Sequence, residues 1–225
     1  MKKKLFLSGD YTYPLYHPLK NVDSEIFAIL GDDFEFALNT EHFESLEDYE
    51  YARFDTVLLY NDHWIDKSPT VHQQVQALLH YVLNGGGLLV VHNLDPGVDY
   101  EMAQMLGGAL KKTLAPQNHR HIDYFPAAVD HPILQGVGPF SLEDDLFDIH
   151  HDRLTDKTVL LNARIEEGIE VPMAWAIEFG LGRVVYIAPG HDVTAFRNPE
   201  YRKLLRNAAL WTAGGLAGPG KDTSL

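Results

Sequence analysis

The sequence predicts a three-layer α/β fold, in which a doubly wound, mostly parallel sheet carries helices on both faces. Strands and helices alternate through the first half of the chain, which is typical of parallel sheets. Residues 88–91, Leu-Leu-Val-Val, form an uninterrupted apolar run that suits a strand buried on both faces. Gly180-Leu181-Gly182 joins the last two predicted strands, so we expect an antiparallel hairpin at one edge of the sheet.

The first-half elements follow from hydrophobic periodicity and from the residues that end helices. The clearest helix covers residues 70–83, because Val75, Leu78 and Val82 repeat at helical spacing. Three glycines after Asn84 end it and lead into the buried strand. The other predicted elements are strands at residues 3–8, 34–38 and 56–60, a helix that ends at residue 30, and a helix at residues 100–106.

The second half contains more strands and one strong helix start. Asn198-Pro199-Glu200 combines a capping side chain, a proline at the first helical position and an early acid. The predicted strands cover residues 121–128, 158–163, 173–179 and 183–188. No segment resembles a linker, so we predict a single domain over residues 1–214 and a flexible tail at residues 215–225.

Composition restricts the classes of partner. The chain has 18 Lys and Arg against 32 Asp and Glu, a net charge of -14, which repels phosphate backbones and anionic membrane surfaces. It has no cysteine, which excludes disulfides, thiolate metal sites and a cysteine nucleophile. The apolar segment after the first lysines is too short for a signal peptide, and we predict a cytoplasmic protein without nucleic-acid or membrane partners.

Polar side chains directly follow four predicted strands. Because the carboxyl ends of parallel strands meet at one edge of the sheet, we expect these side chains to line one site. They are Asp10, His63, Trp64, His92, His191 and Asp192.

Two of these residues suit proton transfer. Imidazole near pH 7 can give or take a proton, so we predict His92 and His191 as general acid–base groups. Asp192 would orient a histidine or hold a sugar hydroxyl, and we include it among the catalytic candidates. The alternative is that Gly190-His191-Asp192 is a turn whose side chains only cap the next segment.

Several short motifs, in their order and spacing, resemble the ThuA-like (trehalose utilisation) family, whose fold is similar to that of class I glutamine amidotransferases and flavodoxins. The matching pieces are residues 85–92, Asp130-His131-Pro132-Ile133 with Gly136, residues 140–147, Pro172-Met173-Ala174-Trp175, Gly182-Arg183-Val184, Gly190-His191-Asp192 and Trp211. The resemblance implies the fold and a link to sugar metabolism. It also implies that the acidic turn Glu143-Asp144-Asp145 contributes a carboxylate to the site, with Asp145 joining Asp10, His63 and Trp64 as substrate-binding candidates. The alternative is that these three residues form an exposed acidic turn.

The chain departs from an amidotransferase at the catalytic positions. His92 stands where the nucleophilic cysteine would follow the central strand, and the acid lies directly beside His191 instead of two residues later. These departures exclude glutamine hydrolysis by a Cys-His-Glu triad.

We predict no cofactor, although a divalent metal stays open. His119-Arg120-His121 and His150-His151 lie near carboxylates, and a bound ion would draw its ligands from residues 119–151, with His92 as a further candidate. Solvated loop histidines give the same pattern.

The favoured function is action on a carbohydrate or keto-sugar by His/Asp acid–base chemistry. The alternative is a non-catalytic ligand-binding or scaffold domain that kept the fold. The expected partner is a sugar-like small molecule, and homo-oligomerisation stays open.

Overall fold

A nine-stranded mixed sheet forms the centre of the structure, a computed structural model that describes residues 1–11, 17–40, 48–60, 71–92, 100–114, 120–166 and 169–216. The strands in chain order are β1 (Lys3–Ser8), β2 (Phe34–Asn39), β3 (Thr56–Leu59), β4 (Gly87–Val91), β5 (Gly108–Leu114), β6 (Arg120–Pro126), β7 (Phe140–Asp144), β8 (Leu146–His151), β9 (Thr158–Glu166), β10 (Ile169–Phe179) and β11 (Gly182–Ile187). The helices are α1 (Asp23–Leu30), α2 (Asp48–Tyr51), α3 (Val71–Leu83), α4 (Tyr100–Leu106), α5 (Val193–Arg197) and α6 (Pro199–Thr212), with 3-10 turns at Leu19–Asn21 and Pro132–Leu134.

One half of the sheet is parallel, in the order β2-β1-β3-β4-β11. Strand β4 lies between β3 and β11, and all five of its residues are buried. The apolar run of this strand therefore has the two-sided burial that the sequence predicts.

The other half corrects the expectation of a mostly parallel sheet with a hairpin at its edge. The sheet continues from β11 through β10, β9, β6 and β7, and each of these neighbours is antiparallel to the next. The β10–β11 hairpin consequently lies inside the sheet. Strands β5 and β8 form a separate antiparallel pair.

The helices form two groups that both contact the central strands. Helices α1, α5 and α6 pack on one another, α2, α3 and α4 form a second group, and both groups contact β11. The predicted start of α6 is confirmed, since the Asn198 side chain accepts hydrogen bonds from the backbone N–H groups of Glu200 and Tyr201 at 2.9 and 3.2 Å. The longest described helices are too short and too polar to cross a bilayer.

Two positions of the turn between α3 and β4 require glycine, each for a different reason. Gly85 has a φ of 106°, which favours glycine. Gly86 has an ordinary φ, but a Cβ atom there would lie 2.3 Å from the ring of Tyr81. This turn sets the start of β4 and thereby the position of the residue that follows the strand. The predicted flexible tail lies outside the described residues, except for Gly215 and Leu216.

Candidate functional site at the carboxyl edge of the parallel strands

His92 leaves the sheet directly after β4. Its φ is 69°, unusual for a residue with a side chain, and its backbone N–H donates to the Ile187 carbonyl at 2.7 Å. The hydroxyl of Tyr186 donates to the His92 carbonyl at 2.9 Å. These bonds turn the chain at the end of the strand and hold the ring inside the protein, with only 1% of the residue exposed.

A backbone carbonyl determines the tautomer of His92. Its Nδ1 lies 2.9 Å from the carbonyl oxygen of Ala188, which can only accept a hydrogen bond, so Nδ1 carries the proton. The lone pair of Nε2 on the neutral ring therefore faces the site, 3.1 Å from Nε2 of His17.

His191 is positioned through its backbone. The Tyr60 hydroxyl donates to the carbonyls of Gly190 and His191 at 2.9 and 3.2 Å. The carboxylate of Asp144 accepts from the N–H groups of the same two residues at 2.9 and 3.3 Å. Gly190 itself has a φ of 138° and passes close to Tyr201. The turn after β11 is thus held from two sides.

Four side chains converge at this point: His17, His92, His191 and Asp145. Nε2 of His17 lies 2.8 Å from Nδ1 of His191, and Nδ1 of His191 lies 3.1 Å from Oδ2 of Asp145. The same carboxylate oxygen lies 3.9 Å from Nε2 of His17 and 3.9 Å from Nε2 of His92. The four potential ligand atoms all lie within 4.8 Å of one another. We refer to these four residues as the histidine cluster.

Burial and hydrogen bonding shift the acidity of groups at the cluster. Burial raises the pKa of Asp144 to about 7, against the hydrogen bonds from the N–H groups of Gly190 and Asp145, which lower it. Burial lowers the pKa of His191, but the hydrogen bond and charge of Asp145, with the charge of Asp144, outweigh it, and the net pKa is raised. His191 therefore favours its protonated form more than a free histidine does.

A family model described as trehalose utilisation, ThuA, matches residues 10–212. The chain belongs to the ThuA family. No curated protein sequence is significantly similar to it.

Solved structures share the fold of this ThuA-family chain. A protein described as ThuA-like from Parabacteroides merdae superposes with a TM-score of 0.76 at 16% identity, over 96% of this chain and 91% of that one. Another from Bacteroides uniformis gives 0.76 at 17% identity, over 93% and 91%. A cytoplasmic protein of Salmonella typhimurium LT2 gives 0.67 at 14% identity, over 93% and 99%.

The ThuA chain brings only some of the predicted site residues together. His92, His191 and Asp145 join the cluster. Asp192 does not, because its carboxylate caps α5 by accepting from the N–H and hydroxyl of Thr194 at 2.7 and 2.6 Å. This contact matches the alternative of a capping turn, and the catalytic role of Asp192 stays a prediction.

The other substrate-binding candidates lie outside the cluster or outside the described residues. Asp10 follows β1 and is buried, and its carbonyl accepts from the Leu19 N–H at 3.0 Å. It is not one of the four converging groups. His63 and Trp64 lie outside the described residues.

His17 is the residue that sequence reasoning missed. It belongs to no helix or strand, and it lies in a segment rich in rings and prolines, so periodicity carries no information about it. The signal available was topological: this segment follows β1, and the loop after a parallel strand begins at the same edge as His92 and His191.

Two of the histidines considered as metal ligands make other contacts. The exposed ring of His121 pairs with Glu143 at 2.9 Å, and Nδ1 of His151 lies 3.1 Å from the ammonium of Lys157. His150 is exposed, and His119 lies outside the described residues. Within residues 119–151, only Asp145 belongs to the cluster.

A cavity of about 770 Å³ lies at the opposite edge of the sheet, next to Asp55, Gly86 and Arg183. The strands β4 and β11 begin there, and none of the four cluster residues lines it. We assign the site to the histidine cluster because its groups can transfer protons or bind an ion.

Proposed function

We propose that this ThuA-family protein binds a carbohydrate or keto-sugar at the histidine cluster and acts on it by acid–base chemistry. The observation that carries the proposal is the convergence of His17, His92 and His191 on the carboxylate of Asp145. His92 and His191 follow strands β4 and β11, and His17 lies in the segment before the 3-10 turn Leu19–Asn21. Titratable groups that converge in this way are candidates for a functional site.

The arrangement supplies both partners of a proton transfer. Nε2 of His92 presents a lone pair and can accept a proton from a sugar hydroxyl or from a carbon next to a carbonyl. His191, whose pKa is raised, can donate one to the departing or developing oxygen. Asp145 stabilises the protonated ring, in the way that a carboxylate supports histidine in other acid–base sites.

The choice of substrate class follows from the family. The matching model is described as trehalose utilisation, which supports a carbohydrate-related role at the level of the family. The absence of cysteine removes the nucleophile that glutamine hydrolysis by a Cys-His-Glu triad needs. The net charge of -14 and the lack of cysteine also support a cytoplasmic protein with no nucleic-acid or membrane partner.

One observation favours the second candidate, a non-catalytic ligand-binding or scaffold domain. His92 and Asp145 are only 1% and 7% exposed, so little of either group is open to a substrate in this arrangement of the described residues. A scaffold needs no such access, and a ligand-binding domain could bind its ligand elsewhere.

A ligand screen followed by a turnover measurement distinguishes the two candidate functions. Thermal shift against sugars, keto-sugars and sugar acids identifies a ligand, because specific binding stabilises the folded state. NMR then follows that ligand for turnover, in wild type and in His191→Gln. Turnover that His191→Gln abolishes supports the enzyme, with His121→Ala as the matched control. Stabilisation without turnover supports the binding domain, and stabilisation by no member of the panel contradicts both.

A further inference from the structure

We propose that the histidine cluster is a binding site for one divalent transition-metal ion of the Zn²⁺ type, with His17, His92, His191 and Asp145 as its ligands. The inference uses the same residues as the proposed function but does not rest on it, because metal binding is measured without a sugar.

The spacing of the four groups fits an ion. At metal–ligand bonds of about 2.0–2.1 Å, the ligand atoms of a tetrahedral site lie roughly 3.4 Å apart. The described separations between ring nitrogens and the Asp145 oxygen are 2.8, 3.1, 3.1, 3.9 and 3.9 Å. They lie on both sides of the tetrahedral value, so small side-chain rotations bring all four atoms to bonding distance.

Three ring nitrogens and one carboxylate oxygen face one another in the cluster. Nδ1 of His92 donates to Ala188, so Nε2 of the neutral ring presents a lone pair towards Nε2 of His17 at 3.1 Å. Nδ1 of His191 lies 2.8 Å from the same atom of His17 and 3.1 Å from Oδ2 of Asp145. A divalent cation among these four atoms would be attracted by the carboxylate and by each lone pair directed at it.

Supporting contacts orient the ligands in the manner of known metal sites. Histidine ligands generally donate their second ring N–H to a carbonyl or carboxylate, and His92 does so to Ala188 at 2.9 Å. Asp144 accepts from the Asp145 N–H at 2.8 Å and from the backbone of His191, so it holds two ligand-bearing segments without itself being one of the four ligands. His17, Asp145 and His191 come from three distant parts of the chain, which an ion would join.

The donor set selects the class of ion. Three imidazoles with one carboxylate suit Zn²⁺ and neighbouring first-row ions, whereas Ca²⁺ and Mg²⁺ prefer oxygen ligands. The proposed ligand set differs from the set expected from the sequence, since only Asp145 comes from residues 119–151. With an ion held by all four groups, Nε2 of His92 and Nδ1 of His191 would be ligands, so the acid–base roles proposed above belong to the cluster without an ion.

The test is direct metal binding by the full chain, produced without a histidine tag and stripped with a chelator. We expect isothermal titration with Zn²⁺ to give one site per chain and elemental analysis after dialysis to give one ion. Visible absorption of the Co²⁺ form reports nitrogen and oxygen ligation. Mg²⁺ at the same concentration should give no binding. Failure of Zn²⁺, Co²⁺, Mn²⁺ and Ni²⁺ to bind with this stoichiometry would overturn the proposal.

Variants locate the ion. Asp145→Asn keeps the shape of the side chain, and His17→Ala removes a ring from a segment outside the sheet, so both are expected to fold. Each should weaken Zn²⁺ binding by roughly 10–100-fold or more. His121→Ala removes an exposed ring that also pairs with a carboxylate and should leave binding unchanged. A loss of binding in His121→Ala, or full binding in both cluster variants while circular dichroism shows them folded, would place the ion elsewhere.

Metal binding and the proposed function fail separately. Zn²⁺ binding with no sugar-dependent stabilisation retains the metal site and rejects the carbohydrate function. Sugar turnover by protein that binds no metal rejects the metal site alone.

Discussion

The carboxylate of Asp144 accepts a hydrogen bond from the backbone N–H of Gly190 at 2.9 Å, which joins the last residue of β7 to the turn after β11. The same carboxylate accepts from the N–H of Asp145 at 2.8 Å and of His191 at 3.3 Å. A single buried side chain, 1% exposed, therefore aligns two members of the histidine cluster.

Asp144→Asn should destabilise the protein and displace His191. The amide places an N–H₂ group opposite a backbone N–H, and a buried donor without an acceptor costs about 1–3 kcal/mol. The free energy of unfolding, from urea denaturation, measures the loss. Asp123→Asn is the matched control, because its carboxylate accepts from Ser141 at 2.6 Å at a half-exposed position. Equal losses in the two variants would contradict the role of Asp144.

Tyr60→Phe should weaken the site more than the fold. The hydroxyl donates to the carbonyls of Gly190 and His191, and its loss should cost about 1 kcal/mol of stability. It should also reduce the ligand- or Zn²⁺-induced rise in melting temperature, because the turn that carries His191 loses one support. Tyr81→Phe loses a hydroxyl that donates to Phe54 at 3.1 Å at the other edge of the sheet. We expect Tyr81→Phe to lose a similar amount of stability while its ligand- or Zn²⁺-induced rise in melting temperature stays unchanged. If both variants reduce that rise equally, the prediction is refuted.

Gly86→Val should be severely destabilising because of close approach to a ring. A Cβ at Gly86 would lie 2.3 Å from the Tyr81 ring, so the ring must move and give up its hydroxyl contacts. We expect a loss of at least about 2 kcal/mol in the free energy of unfolding. Gly138→Val is the control, since a Cβ there meets only Glu200, at 3.4 Å. Comparable stability of the two variants would show that the ring at Tyr81 moves without cost.

The free energy of unfolding should decrease as the pH is lowered, partly because of His151. Burial, with the positive charges of Lys157 and His150, lowers the pKa of His151 to about 4 in the folded state, against about 6.5 when unfolded. Between these values the unfolded state binds the proton more readily, so the contribution of this group is complete above about pH 6.5 and is lost as the pH falls towards 4.

The measurement is urea denaturation at several pH values between 4 and 7. His151→Gln should show a smaller decline in the free energy of unfolding over this window than wild type. His80→Gln, at an exposed position on α3, is the control and should follow wild type. An unchanged decline in His151→Gln would rule out this residue as a source of the acid sensitivity.

Local pattern was sufficient where burial and periodicity agree. Helix α3 and strand β4 appear where the sequence predicts them. An amphipathic helix can bury only its apolar face, and a strand that is apolar on both faces is stable only with both faces covered. Asn198 caps α6 as predicted, since a cap depends on neighbours two and three residues away. The approach of His92 to His191, with ring centroids 5.4 Å apart, follows from parallel strands that end at one edge.

The strand order of the second half depended on contacts distant in sequence. The stretch around residues 110–153 has short, loosely patterned segments, and from these alone β6 and β7 could not be assigned to the same sheet as β4. The pairing of β11 with both β4 and β10 moves the predicted edge hairpin to the interior, and no local signal distinguishes an edge strand from an inner one that is equally apolar.

The sequence by itself determined the family, the central strand and the delivery of His92 and His191 to one edge. Only the tertiary structure decided that His17 completes the cluster, that Asp145 faces it and that Asp192 caps a helix instead. The reason is that neighbouring residues determine caps and periodic burial, whereas long-range pairing determines which side chains of irregular segments share a cavity. His17 and His191 lie 2.8 Å apart although 174 positions separate them, and that distance exists only once the sheet has formed.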